Sequence, residues 1–146
     1  MEVTLTTGAV AIAGLVLIGL LGSLQLAAVL RPQAPWTIKT VYGGDPDTTD
    51  PKAYFAFNHG FALADVFLWA PLQVFGSVGM LLGQPWGFAL ALAASVPYVY
   101  TAIPFFVWDR DMGFRKDGYS YWVFTWAMWP LFGILQGTYA LVRLLN

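Results

Sequence analysis

The sequence predicts an all-α protein built as a bundle of four transmembrane helices, and three observations predict it. Hydrophobic residues make up 58% of the chain and charged ones only 10%, too few to solvate the surface of a globule of 146 residues. The charges gather in two polar stretches, which leaves long uncharged runs between them. Seven Trp are present, and Trp36, Trp86, Trp108 and Trp122 fall near the edges of those runs, where an amphipathic ring sits at headgroup depth. The whole of 1–146 reads as one integral membrane domain without internal repeats.

The first span is predicted at about 7–30. No charge occurs from Val3 to Leu30, and Arg31-Pro32 supplies a headgroup anchor and a helix stop. Its apolar run is too long for a secretory signal and its start is not basic, so it reads as a retained helix. Residues 31–50 are rich in Pro, Gly, Asp and Thr and form a polar loop. Asp50 and Pro51 make a helix start, as N-cap and first helical residue. From Ala53 to Trp108 the sole formally charged residue is Asp65, and Gly83-Gln84-Pro85 divides that length into two spans, 51–82 and 86–107, joined as a hairpin. Pro71 is expected to kink the former, and Pro97 and Pro104 to bend the latter. A second polar loop, 108–118, carries six charges, and an uncharged run gives the fourth span, 119–143.

Both polar loops lie on one side of such a bundle. That side holds Arg31, Lys39, Lys52, Arg110, Arg115 and Lys116, the other only Arg143, so the count is 6 against 1. The expected location is the cell membrane, with the charged loops cytoplasmic and both termini outside.

Apolar side chains gain little by leaving lipid for one another, so small residues are expected where helices meet. Three pairs stand one turn apart: Gly19 with Ser23, Gly79 with Gly83, and Gly133 with Gly137. They serve packing within the bundle, or, for the Gly133 and Gly137 face, a homo-oligomer.

Asp65 lies fourteen positions from Pro51, ~20 Å along the axis and so inside the hydrocarbon. A carboxylate there costs roughly 2.5–3.5 kcal/mol and is tolerated where it faces protein or a wet cavity. Asn58 precedes it by two turns and shares its face, His59 stands nearer the loop side, and Gln25, Tyr98, Thr101 and Thr125 have similar depth, with Trp126 beside Thr125. These residues line a candidate pocket. Asp65 serves there either as a structural carboxyl, bonded to Asn58, Tyr98 or Thr125, or as a group that recognises a cationic or hydroxylated ligand or relays protons.

Several classes fall away. A net charge of −1 without a Lys/Arg cluster excludes nucleic acid as a partner. The absence of Cys excludes thiolate chemistry and Cys-based metal sites, and a single His cannot supply a multi-histidine centre, so no cofactor or metal is expected. The charges at Asp109, Arg110 and Asp111 read as a solvated loop in contact with headgroups, or as oxygen ligands for a divalent cation on a lipid phosphate. No nucleophile, base and acid stand together as a catalytic set.

The stretch FNHGFALADVFLWAPLQVFGSVGMLLGQPWG, residues 57–87, resembles a segment of small four-helix prokaryotic membrane proteins of unassigned function. Four spans, a deep acidic residue and many aromatics are also loosely similar to the sterol-isomerase and sigma-2-receptor group, which binds amines or sterols in a bundle pocket. That group's paired acidic residues have no counterpart here, so the resemblance implies binding and not isomerase chemistry. The Trp abundance is similar to that of tryptophan-rich sensory proteins, which have five spans.

The expected function is accordingly a non-enzymatic, multi-pass membrane protein, in contact with lipids, that binds a lipidic small molecule or a partner helix around Asp65. The alternatives are a small oligomeric proton-coupled transporter and, behind it, a lipid-modifying enzyme.

Overall fold

A computed structural model describes residues 1–41, 51–104, 106–107 and 129–146, and all regular structure among them is helical. Helix α1 is Leu5–Leu30, α2 is Pro51–Ala64, α3 is Ala70–Leu81, α4 is Pro85–Tyr100 and α5 is Trp129–Leu145. Three helical runs are long and apolar enough to cross a membrane: Leu5–Leu30 with 26 residues, Ala56–Leu81 with 26 and Pro85–Pro104 with 20. At ~1.5 Å per residue each reaches about 30 Å or more. The fourth expected span is described over Trp129–Leu145, and its predicted start at 119–128 lies outside the described residues, as does the loop 108–118.

Helix α1 starts two residues earlier than expected because Thr4 and Thr7 cap it reciprocally. The Thr7 N–H donates to Thr4 Oγ1 at 3.2 Å and the Thr4 N–H to Thr7 Oγ1 at 3.3 Å. Beyond Arg31, the segment Thr37–Val41 forms a short π-helical turn inside the predicted loop, and the Thr37 hydroxyl donates to the Arg31 carbonyl at 2.8 Å.

The second span is not uniform. Between α2 and α3 the residues Asp65–Trp69 form a π-helical turn, in which the Ala70 N–H reaches back to the Asp65 carbonyl. Pro71 supplies the cause. It has no N–H to give, and in a regular α-helix its ring presses on the carbonyl of residue 67; a wider turn relieves that contact without ending the helix. Pro97 likewise sits inside α4 without ending it.

The break at Gly83-Gln84-Pro85 is a helix stop followed at once by a helix start. Gly83 takes φ +65°, its N–H donates to the Met80 carbonyl at 3.0 Å, and the Gln84 N–H donates to the Gly79 carbonyl at 2.9 Å. These are the paired bonds of a Schellman cap. Gln84 is then the extended N-cap of α4 with Pro85 at the first helical position. Gly83 therefore makes the turn and does not belong to a packing stripe with Gly79.

The described contacts divide the chain into two compact units, one of Met1–Leu15 with Leu72–Asn146, the other of Val16–Pro71. In the first, α3, α4 and α5 meet through small residues. A methyl on Gly76 would lie 2.7 Å from the Ala91 nitrogen, one on Gly79 would lie 2.5 Å from Gly87 Cα, and one on Gly133 would lie 2.5 Å from Tyr98 Cβ. Gly137 is similarly closed by Ser95 Oγ at 2.6 Å. The Gly133 and Gly137 face, a candidate for self-association, thus packs on α4 of its own chain. In the second unit, Gly22 faces Ala70, with 3.8 Å to Ala70 Cβ from a methyl placed on it. Gly19 has nothing within 4 Å, and it and Ser23 are exposed, so that pair lines no contact among the described residues. The glycines of α1 that do pack are Gly14 and Gly22.

Burial is inverted relative to a water-soluble protein. The buried residues include Thr7, Gln73, Ser77, Ser95, Thr101 and Gln136, together with Ala11, Ala28, Ala62, Ala91, Ala94 and Ala140. Leu5, Leu30, Phe67, Leu68, Ile103 and Leu145 are exposed. Lipid favours this arrangement, since it solvates large apolar side chains while helices approach through small ones.

Candidate functional site

The sequence points first to Asp65, which lies in the Val16–Pro71 unit with Gln25, Asn58 and His59. All four side chains are half-buried. Ala62 and Trp69 are fully or nearly buried, while Ala64, Phe67 and Leu68 are exposed, so Asp65 stands on the buried side of its helix. It is also the first residue of the π turn. Its carboxyl accepts no hydrogen bond from any side chain among the described residues. The expected bond from Asn58 does not form: α2 is regular up to Ala64, so the seven-residue spacing puts Asn58 on the face of Asp65 but ~10 Å away along the axis.

Gln25 belongs to the same unit from α1. It lies three residues beyond Gly22, the glycine that faces Ala70, and so belongs to the next turn of α1. The unit therefore holds the Asp65 carboxyl and the Gln25 amide, with Asn58 and His59 earlier on α2.

Tyr98 and Thr101 belong to the other unit and are buried there. Thr101 Oγ1 donates to the Pro97 carbonyl at 2.6 Å and accepts from the Trp129 indole N–H at 3.1 Å. The Tyr98 ring meets Trp129 and Phe132 edge-on, with centroids at 5.1 and 5.2 Å. Thr125 and Trp126 lie outside the described residues.

The unit holding both chain ends contains a polar cluster that the sequence reading missed. Gln73 on α3 and Gln136 on α5 are fully buried and pair reciprocally: each Nε2 donates to the other's Oε1 at 2.9 Å. The second hydrogen of Gln73 goes to Ser77 Oγ at 3.0 Å, and that of Gln136 to the Ala91 carbonyl on α4 at 2.9 Å. Both amides are satisfied, and three helices are tied at one point. Gly14 of α1 closes the cluster, because any side chain there would collide with the Gln73 amide. The available signal was the spacing of Gln73 and Ser77, one turn apart, and the position of Gln136 between two glycines.

The same unit has a third polar group at its end. Tyr139 OH lies 2.6 Å from Thr7 Oγ1 and 3.1 Å from Thr4 Oγ1. Arg143 donates from Nη1 to Tyr139 OH and Thr7 Oγ1 at 3.3 and 3.4 Å, and from Nη2 to the Glu2 carbonyl at 2.5 Å, with its guanidinium 5.3 Å from the centre of the Phe88 ring. The Met1 amino group donates to the Gly83 carbonyl at 2.6 Å. Both ends of the chain and the α3–α4 turn therefore meet at one end of this unit.

Among the described residues no three His, Asp or Glu side chains come together as a metal site. No family model, no curated protein and no solved structure matches the chain.

Proposed function

We propose that the chain is a multi-pass protein of the cell membrane that binds a lipidic small molecule with a cationic or hydroxylated head, using Asp65 as the recognition group. The observation that carries this reading is a half-buried carboxyl on the buried side of a membrane-spanning helix, without a described side-chain partner, where the helix widens into a π turn. A widened turn offers backbone carbonyls to a ligand as well, and such turns recur at functional sites. Gln25, in the same compact unit, adds an amide that both donates and accepts.

The test uses the purified full chain and two probes of equal tail length, dodecyltrimethylammonium and dodecyl maltoside, with thermal stability and intrinsic fluorescence as readouts. The cationic probe is expected to bind about tenfold more tightly. Asp65→Asn removes the charge but keeps hydrogen bonding, so the variant should remain folded and lose that preference, whereas Asp65→Leu also removes the polar group. Equal binding of the two probes by the wild type, or a preference that survives in Asp65→Asn, would overturn the reading.

The orientation follows the charge count: loops cytoplasmic, both ends outside. A reporter fused after Asn146 is expected to be active outside the cytoplasm and one inserted near Gly44 inside. A cysteine at Gln84, which is exposed on the α3–α4 turn, should react with an impermeant thiol reagent applied from outside, as should one at Thr6. The reverse pattern contradicts the orientation.

A further inference from the structure

We propose that Arg143 and the residues that hold it form a binding site for the phosphate of an anionic lipid headgroup, separate from Asp65. Arg143 lies in the last turn of α5 and is half-buried, with exposed Leu5, Leu82, Trp86 and Leu145 on the neighbouring helix ends. Arg143 stands near the end of α5 beside the polar contacts of Thr4, Thr7 and Tyr139, the level at which headgroups are expected. The guanidinium is fixed on several sides: the Tyr139 and Thr7 hydroxyls accept from Nη1, the Glu2 carbonyl accepts from Nη2, and the Phe88 ring packs beneath. Among the described residues Nε–H has no acceptor, and Nη2 donates to a single one. Two such donors can make the forked contact with two oxygens of one phosphate, and because the group is already held, little side-chain entropy remains to be lost on binding.

The other charged side chain described at this end is the exposed Glu2 carboxylate, which opposes an anion, as do the carbonyls of the last turn of α5. A site that holds a phosphate against that carboxylate must do so through geometry, which makes lysine an informative replacement. Lysine keeps the charge and lacks the fork.

The delipidated full chain is offered phosphatidylglycerol or phosphatidylcholine, and bound lipid is counted by native mass spectrometry for wild type, Arg143→Lys and Arg143→Gln. Wild type is expected to retain phosphatidylglycerol, Arg143→Gln to lose about tenfold in affinity and Arg143→Lys about threefold. The loop cations are common to all three proteins and cancel in the comparison. Inorganic phosphate offered in competition separates the sources: displacement at millimolar concentration makes phosphate itself the ligand, and no displacement makes it the headgroup on its chains. Equal phosphatidylglycerol retention by wild type and Arg143→Gln overturns the proposal. If Arg143→Gln fails to fold, retention by Arg143→Lys equal to wild type overturns it instead.

Discussion

Replacing Gln136 with Leu is expected to destabilise the protein by about 1–3 kcal/mol, because the Gln73 amide, fully buried, would lose both its acceptor and its donor across the helix contact. Leu is close to Gln in volume, so the loss would report the stranded amide and not a cavity. Gln73→Leu should cost a similar amount by stranding Gln136, although Gln136 keeps its bond to the Ala91 carbonyl. The double variant, with neither amide left, should cost less than the sum of the two singles. Reversible unfolding of all four proteins in mixed micelles gives the coupling, expected at about 0.5–2 kcal/mol. Strict additivity would mean that the amides contribute separately and that the reciprocal pair is not what ties α3 to α5.

Gly87→Val is expected to have the larger effect, about 3 kcal/mol or more. Its new side chain would fall on the Gly79–Met80 peptide, and a backbone on the facing helix has no rotamer by which to move aside. The α3–α4 hairpin would have to open. Gly19→Ala is the matching control: with nothing within 4 Å it should be neutral, or stabilising by up to ~1 kcal/mol through helix propensity. Thermal unfolding in detergent of the two variants beside wild type tests both, and equal losses would mean that the helix contacts are looser than described.

Much of this fold was legible because its signals are local. Uncharged runs, Pro51 as a helix start and the Gly83-Gln84-Pro85 turn each depend on a few neighbouring residues, and the described helices follow them within two residues at most ends; α4 is the exception, ending at Tyr100 where 107 was expected. The small-residue stripes were half legible: spacing shows that Gly133 and Gly137 can meet a helix, but not which one. Spacing also grouped Gly79 with Gly83 and Gly19 with Ser23, whereas a turn and an exposed face claim Gly83 and Gly19. The π turn at Asp65–Trp69 was hidden because Pro71 can be accommodated by a kink or by a widened turn, and the sequence pattern does not choose.

The candidate sites divide in the same way. Asp65 was conspicuous as a charge in an apolar run, and Gln25 lies in the same compact unit. Gln73 and Gln136 were not conspicuous, since neutral amides are common and their pairing joins residues 63 apart. Arg143 counted in the sequence only as the single cation on its side, and its contacts with Thr7 and Glu2 join residues far apart in the chain.

Gly14 against the Gln73–Gln136 pair also sets an order of events at the ribosome. Its partner Gln136 is made 122 residues later, which at about 5–20 residues per second is a wait of roughly 6–24 s. Gly14, with Ala11 and Ile18 on nearby turns, leaves α1 no stranded polar group at this level, so the first helix can wait in lipid at little cost. Gln73 cannot: until α5 arrives, its amide has Ser77 and little else. The half-made protein is therefore most exposed to membrane proteases and to wrong helix partners between synthesis of the third and fifth described helices, and arrival of Gln136 closes that interval.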